Sequence, residues 1–175
     1  MVSGAPPGVD IRSSRRSGVS DRLALRLALK PTAALMGAVD GAWWPRTANP
    51  LAEFPALITG VALYRGPVAR LAFNSTAWDD APDRIVVAGA TIELEGFRSL
   101  DRHTVLVSGV NWHRMVLLVI PPRTGEQAAA AAIALAASSD NTQQATQILV
   151  ASGIERRIGT EDRGPLATGS CASAN

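Results

Sequence analysis

The chain has little of what usually announces chemistry. Of its 175 residues one is a cysteine, Cys171, close to the C-terminus; this excludes an intrachain disulfide and fits a reducing cytoplasm. Two histidines, His103 and His113, leave little material for a metal centre. No apolar run approaches the ~18 residues that a spanning helix needs, so no membrane association is expected. Arg12, Arg15 and Arg16 precede an apolar stretch that Arg26 interrupts, without a cleavage signature, so a signal peptide is not expected either. Neither a Gly-x-Ser-x-Gly turn nor a phosphate-cradling glycine loop is present. Lys30 is the only lysine, and a formal net charge of +2 is too even for a nucleic-acid footprint. With 47% hydrophobic residues the chain is long and apolar enough to bury a core.

What is present concentrates in Gly37 to Arg46, GAVDGAWWPR, where two adjacent indoles, a carboxylate, an arginine and two glycines fall within ten positions. Gly37 and Gly41 open backbone angles closed to other residues, and Pro45 removes a donor, so a short strand ending at Trp44 is expected. In an extended Val39 to Trp44, Val39, Gly41 and Trp43 share one face, and Asp40, Ala42 and Trp44 the other. One indole then enters the core. The other lies beside Asp40, with Arg46 in reach of cation–π stacking or an ion pair. Buried indoles are more often packing than ligand platforms, so a purely structural role weighs against this reading.

Along the chain, residues 1–20 are rich in Gly, Pro, Ser and Arg and read as a disordered tail. Leu23, Leu25, Leu27 and Leu29 alternate with Ala24, Arg26, Ala28 and Lys30, which predicts a strand with one buried face closed by Pro31. Asn49-Pro50 starts a helix with Leu51, Phe54, Ile58 and Val61 inward, Pro55 kinks or delays it, and Gly66-Pro67 ends it. Val68 to Asn74 reads as a strand, followed by a polar loop holding Trp78 beside Asp79 and Asp80. Arg84 to Val87 and Thr91 to Glu95 flank Ala88-Gly89 as a hairpin with Ile92 and Leu94 inward. Thr104 to Ser108 and Arg114 to Ile120 pair antiparallel, and the second, apolar on both faces, belongs in the middle of the sheet. Thr124 and Gln127 have capping-box spacing before an alanine-rich helix, Glu126 to Ala137. Asp140 and Gln143 repeat that spacing before a helix of Thr142 to Ser152, closed by Gly153.

The stretch GAVDGAWWPR, with AFNSTAWDDAP, GFRSLDRHTV and LLVIPP, resembles an uncharacterised actinobacterial family, domain of unknown function 5994. The resemblance runs from about Arg22 to the helix after Pro122, and DGAWWPR is its most specific part. It implies a small soluble protein and supplies no catalytic residues. Leu100 and Arg102 depart from the family pattern, which has a polar residue and a proline there.

The expected fold is α+β: an antiparallel sheet of about seven short strands, open or curled into a partial barrel, with one inserted helix and two C-terminal helices packed on it. One domain over 21–153 lies between tails at 1–20 and 154–175. The favoured function is a non-catalytic binding or regulatory module. Asp40, Trp43, Trp44, Arg46, Trp78 and Arg98, with Trp112, form an amphipathic cluster for a small polar ligand or a protein partner. The alternative is a small metal-dependent or acid–base enzyme using Asp101 and His103 with Asp40 or Asp79. No cofactor is called for, a homodimer stays open, and Glu93, Glu95 and the Asp79-Asp80 pair disfavour nucleic acid.

Overall fold

The computed structural model describes residues 24–31, 37–111 and 114–154. The expected N-terminal tail, Leu23 of the expected first strand, the expected C-terminal tail beyond Ile154, Trp112, His113 and most of the Pro31 to Met36 connection lie outside them. Within them run β1 (Leu27–Leu29), β2 (Gly41–Trp43), α1 (Pro50–Arg65), β3 (Val68–Asn74), β4 (Arg84–Val87), β5 (Ala90–Phe97), β6 (Thr104–Gly109), β7 (Met115–Val119), α2 (Glu126–Ala137) and α3 (Ala145–Ala151). All seven strands belong to one sheet with the spatial order β1-β2-β7-β6-β3-β5-β4. The architecture is α+β, with one helix inserted early and two at the end.

The sheet is mixed rather than antiparallel. β2 runs parallel to β7, and β3 runs parallel to β5; the remaining neighbours are antiparallel. Chain adjacency alone favoured antiparallel pairing. The long loop after β3 instead carries the chain to the edge, where β4 forms, and the hairpin returns β5 into the gap between β4 and β3. The sheet does not close into a barrel, and β1 and β4 are its edges.

Each face carries its own core. On one, Phe54, Leu57, Ile58 and Val61 of α1 pack against Leu71, Phe73, Ile92, Leu94, Val105, Val107 and Leu117. On the other, Val39, Ala42, Leu118 and Ile120 meet Ala129, Ala132 and Ala136 of α2 and Ile148 and Leu149 of α3. The alanine face lets α2 lie close to the sheet. β7 is covered on both sides, in keeping with its apolar sequence.

Local chemistry explains most boundaries. Asn49 Oδ1 accepts the N–H groups of Leu51 and Ala52 at 3.0 and 3.3 Å, capping α1. The helix runs on through Pro55 to a turn at Gly66, φ 93°, so the proline neither delays nor stops it. Leu51 points outward, 55% exposed, and Leu57 takes the inward place assigned to it. In the β4–β5 hairpin Ala88 and Gly89 have φ of 50° and 82°, the paired left-handed conformation of a tight two-residue turn. The Thr124/Gln127 box does not form; Gly125 caps α2 without a side-chain bond. α3 starts at Ala145, three residues later than expected, because Gln144 and Gln147 make the reciprocal box there. Its end is a Schellman turn, with Gly153 N–H bonded to Val150 O and Ile154 N–H to Leu149 O.

Candidate functional site

The two adjacent indoles go to opposite sides of the sheet. Trp43 is buried on the α1 side and stacks on Trp78, centroids 5.4 Å apart and planes 10° from parallel. Phe54 meets Trp78 edge-on at 4.8 Å. Trp44 packs against the α2/α3 core, as does Val39, so the strict alternation expected for Val39 to Trp44 breaks before Gly41. The cation over Trp44 is the Arg26 guanidinium, 3.5 Å from the ring centroid. Arg26 also donates to the carbonyls of Trp44 and Pro45 at 3.0 and 2.8 Å. Burial, reinforced by the charge of Arg46 and opposed by Glu53, holds this guanidinium below the usual arginine value. Arg46 itself donates to the Ala24 carbonyl at 3.1 Å.

Asp40 works within the sheet. Its Oδ2 accepts the Val116 N–H at 2.7 Å, and its own N–H donates to Val116 O, extending the β2/β7 pairing by one residue. Arg98 is exposed, and its carbonyl accepts from Asn74. The six expected site residues therefore divide: Trp43 and Trp78 touch, Trp44 and Arg46 flank Pro45 and both engage the 24–26 segment, while Asp40 and Arg98 stand apart.

A pocket of ≈ 140 Å³ opens at the end of the sheet where β2, β3 and β7 finish and β6 begins. Pro45, Thr47, Ala48, Ala77, Trp78, Arg102, His103, Val119, Pro121 and Pro122 line it. The volume is far above the ~10–15 Å³ that one water requires and well below a drug-sized site. Its loops are pinned from behind. Buried Asn74 donates to the carbonyls of Arg98 and Leu100 and accepts from Thr76 N–H and Oγ1 at 2.7 and 2.6 Å. Asp101 Oδ1 accepts the His103 N–H at 2.7 Å, and the His103 carbonyl accepts from Val119 N–H at 2.7 Å. Asp79 N–H bonds the Ala48 carbonyl at 2.9 Å, tying the Trp78 loop to the start of α1.

Sequence reasoning did not name Thr47 or Arg102 as site residues and raised His103 only for catalysis. The available signal was two consecutive basic residues in a polar loop, which alone reads as a solvated turn. A second opening, lined by Asp79, Asp80 and Asp83, sits beside Ser75 and Gly96. Among the described residues, no three His, Cys, Asp or Glu side chains come together to hold a metal ion. No helix among them is long and apolar enough to cross a membrane.

Residues 26–136 match the model of the family of unknown function DUF5994, and the chain belongs to that family. No curated protein and no solved structure matches the chain.

Proposed function

We propose that this protein is a non-catalytic binding module and that the pocket at the end of the sheet is where it holds a small polar ligand. One observation carries the reading: each of the stretches GAVDGAWWPR, AFNSTAWDDAP, GFRSLDRHTV and LLVIPP sends at least one residue to the pocket wall, respectively Pro45, Ala77 with Trp78, Arg102 with His103, and Val119 with Pro121 and Pro122. In this reading Trp78 meets the ligand, Trp43 backs it, and Trp44, Arg46 and Asp40 fix the chain on either side of Pro45. Arg98 contributes through the loop that its carbonyl anchors. The enzyme alternative ranks last, because the carboxylates of Asp40 and Asp101 already accept backbone N–H groups. A cytoplasmic setting belongs to the same proposal and rests on the lone Cys171.

Native mass spectrometry followed by denaturing release tests it. A stoichiometric small molecule, lost from a pocket-filling Ala48→Phe variant but kept by Val86→Thr at an exposed position away from the pocket, is the expected outcome. A bare mass, with no amide of Ala77, Trp78, Arg102 or His103 shifted by any member of a fragment library, overturns the reading.

A protein partner is the second reading, favoured by the outer face of α1. Ala52, Ala56, Thr59 and Leu63 form an exposed stripe, Leu63 82% and the adjoining Tyr64 75% exposed, and no charge lies between Glu53 and Arg65. A two-fold contact sets a surface against itself, and a face without charge meets its copy free of like-charge repulsion. The partner proposed is a second copy of this chain. Sedimentation at rising concentration should give a dimer that Leu63→Glu dissolves; a monomer throughout removes this reading.

A further inference from the structure

We infer that the pocket selects a small organic anion, with a carboxylate or like group held by Arg102 and an apolar body against Trp78 and the prolines. This rests on the pocket being a ligand site and adds the chemistry of what enters. The wall is divided in character. Pro45, Ala48, Ala77, Val119, Pro121 and Pro122 supply an apolar surface with the edge of the Trp78 ring system, which is 8% exposed. The polar residues are Thr47, Arg102 and His103; the Thr47 hydroxyl already donates to Glu53 Oε1 at 2.9 Å, so exposed Arg102 is the cation available at the wall.

Among the described residues lining the pocket there is no carboxylate. The nearby acids have partners of their own: Glu53 Oε1 accepts the Thr47 N–H and hydroxyl, both at 2.9 Å, Asp101 turns its Oδ1 to the His103 backbone, and Asp79, Asp80 and Asp83 line a separate opening. A cation entering would meet the Arg102 charge, whereas an anion gains a charge-assisted bond from it, and a guanidinium matches the two oxygens of a carboxylate in one plane. The ≈ 140 Å³ of space suits a single ring or short branched chain with one acidic head.

Three probes of the same ring and different heads separate the possibilities: benzoate, benzamide and benzylamine, each titrated into the full chain with backbone amide shifts as the readout. Benzoate should shift Ala77, Trp78, Arg102 and His103 and bind at least about tenfold more tightly than benzamide, with benzylamine weakest. Arg102→Gln, at an exposed position that leaves the core untouched, should remove most of the difference between benzoate and benzamide. Equal binding of benzoate and benzamide, or a preference for benzylamine, overturns anion selection while leaving the pocket a ligand site. Silence at these amides with all three probes overturns the anion reading, and the binding-module reading falls only if the wider fragment library is silent too.

Discussion

Trp43 and Trp78 lie face to face at 5.4 Å, one from β2 and the other from the loop after β3. Through this contact the α1-side core continues without a break into the pocket wall, since Trp78 packs inward on Trp43 and Phe54 and borders the pocket on its remaining edge. Structural and binding roles are therefore not alternatives for these indoles. One ring holds the fold and, by holding it, presents the other.

Replacing Trp43 with alanine removes a buried indole from beneath Trp78, and a loss of roughly 3–5 kcal/mol of stability is expected. Urea unfolding checks it. A loss of less than ~1 kcal/mol would mean that the stack is not a supporting contact.

Gly41 is required for room. A Cβ there would stand 2.2 Å from the Ala28 carbonyl oxygen and 2.9 Å from Leu29 Cα, both backbone atoms that cannot swing aside. Gly41→Ala should push β1 off β2 at a cost of ~1–3 kcal/mol or more. Hydrogen exchange should show the Lys30 amide, bonded to Asp40 O, losing protection first; unchanged protection would contradict this.

That glycine also marks how far the sequence could be read. Residue types and local spacing were enough for β3, β4, the hairpin turn, the Asn49 cap and the two-sided burial of β7, because each depends on chemistry within a few positions. The parallel pairs were not legible, since Gly41 with Leu117 and Leu71 with Leu94 are matched by the path of the chain. Gly37 and Gly41 read as positions of backbone angles closed to other residues, yet neither has a positive φ and their role is close approach, to the Lys30 ammonium and to β1 respectively. At the site, the two indoles were assigned to opposite faces, as found, but the cation on Trp44 comes from Arg26, which the leucine alternation had marked only as outward. Nothing local in the sequence says that Pro45, Trp78, Arg102 and Pro121 share a wall.

The two arginines make separable predictions. Arg26→Gln loses the contact over Trp44 and the bonds to two carbonyls, with ~1–2 kcal/mol of stability expected to go. Arg46→Ala, at an exposed position, loses the bond to Ala24 O among its contacts and should cost less than Arg26→Gln, under ~1 kcal/mol. Thermal unfolding of the two variants side by side decides it, and a larger effect at Arg46 would return the cation–π role to the arginine expected from sequence.

Asp140 supplies a pH test. The Ser138 hydroxyl bond first, then its own backbone N–H and the charge of Lys30, hold this carboxyl below the usual aspartate value. The folded state thus favours the ionised form, and its contribution to stability is present above the unfolded value of ~3.9 and lost as pH falls through the lower folded one. A carbonyl-detected titration should find the Asp140 midpoint below that of exposed aspartates, and Ser138→Ala should raise it. A midpoint indifferent to Ser138 would remove the hydroxyl as the cause.

Lys30, the only lysine in the chain, is 5% exposed, and its Nζ donates to the Asn141 carbonyl. A buried ammonium needs a partner, and here the partner is the loop between α2 and α3, so one side chain ties the end of β1 to the helical layer. Gly37 leaves the space for it: a Cβ there would lie 2.5 Å from Nζ and 2.6 Å from Asn141 O. Amine acylation of the folded protein should therefore spare Lys30, whereas in denaturant it reacts, and peptide mass spectrometry distinguishes the two states. Gly37→Val forces the ammonium away from Asn141 and should speed labelling at Lys30 under native conditions, with hydrogen exchange in the 138–144 loop rising in step. Rapid native labelling of the unaltered chain would show that β1 and the α2–α3 loop part readily, and the tether would then carry no weight in the fold.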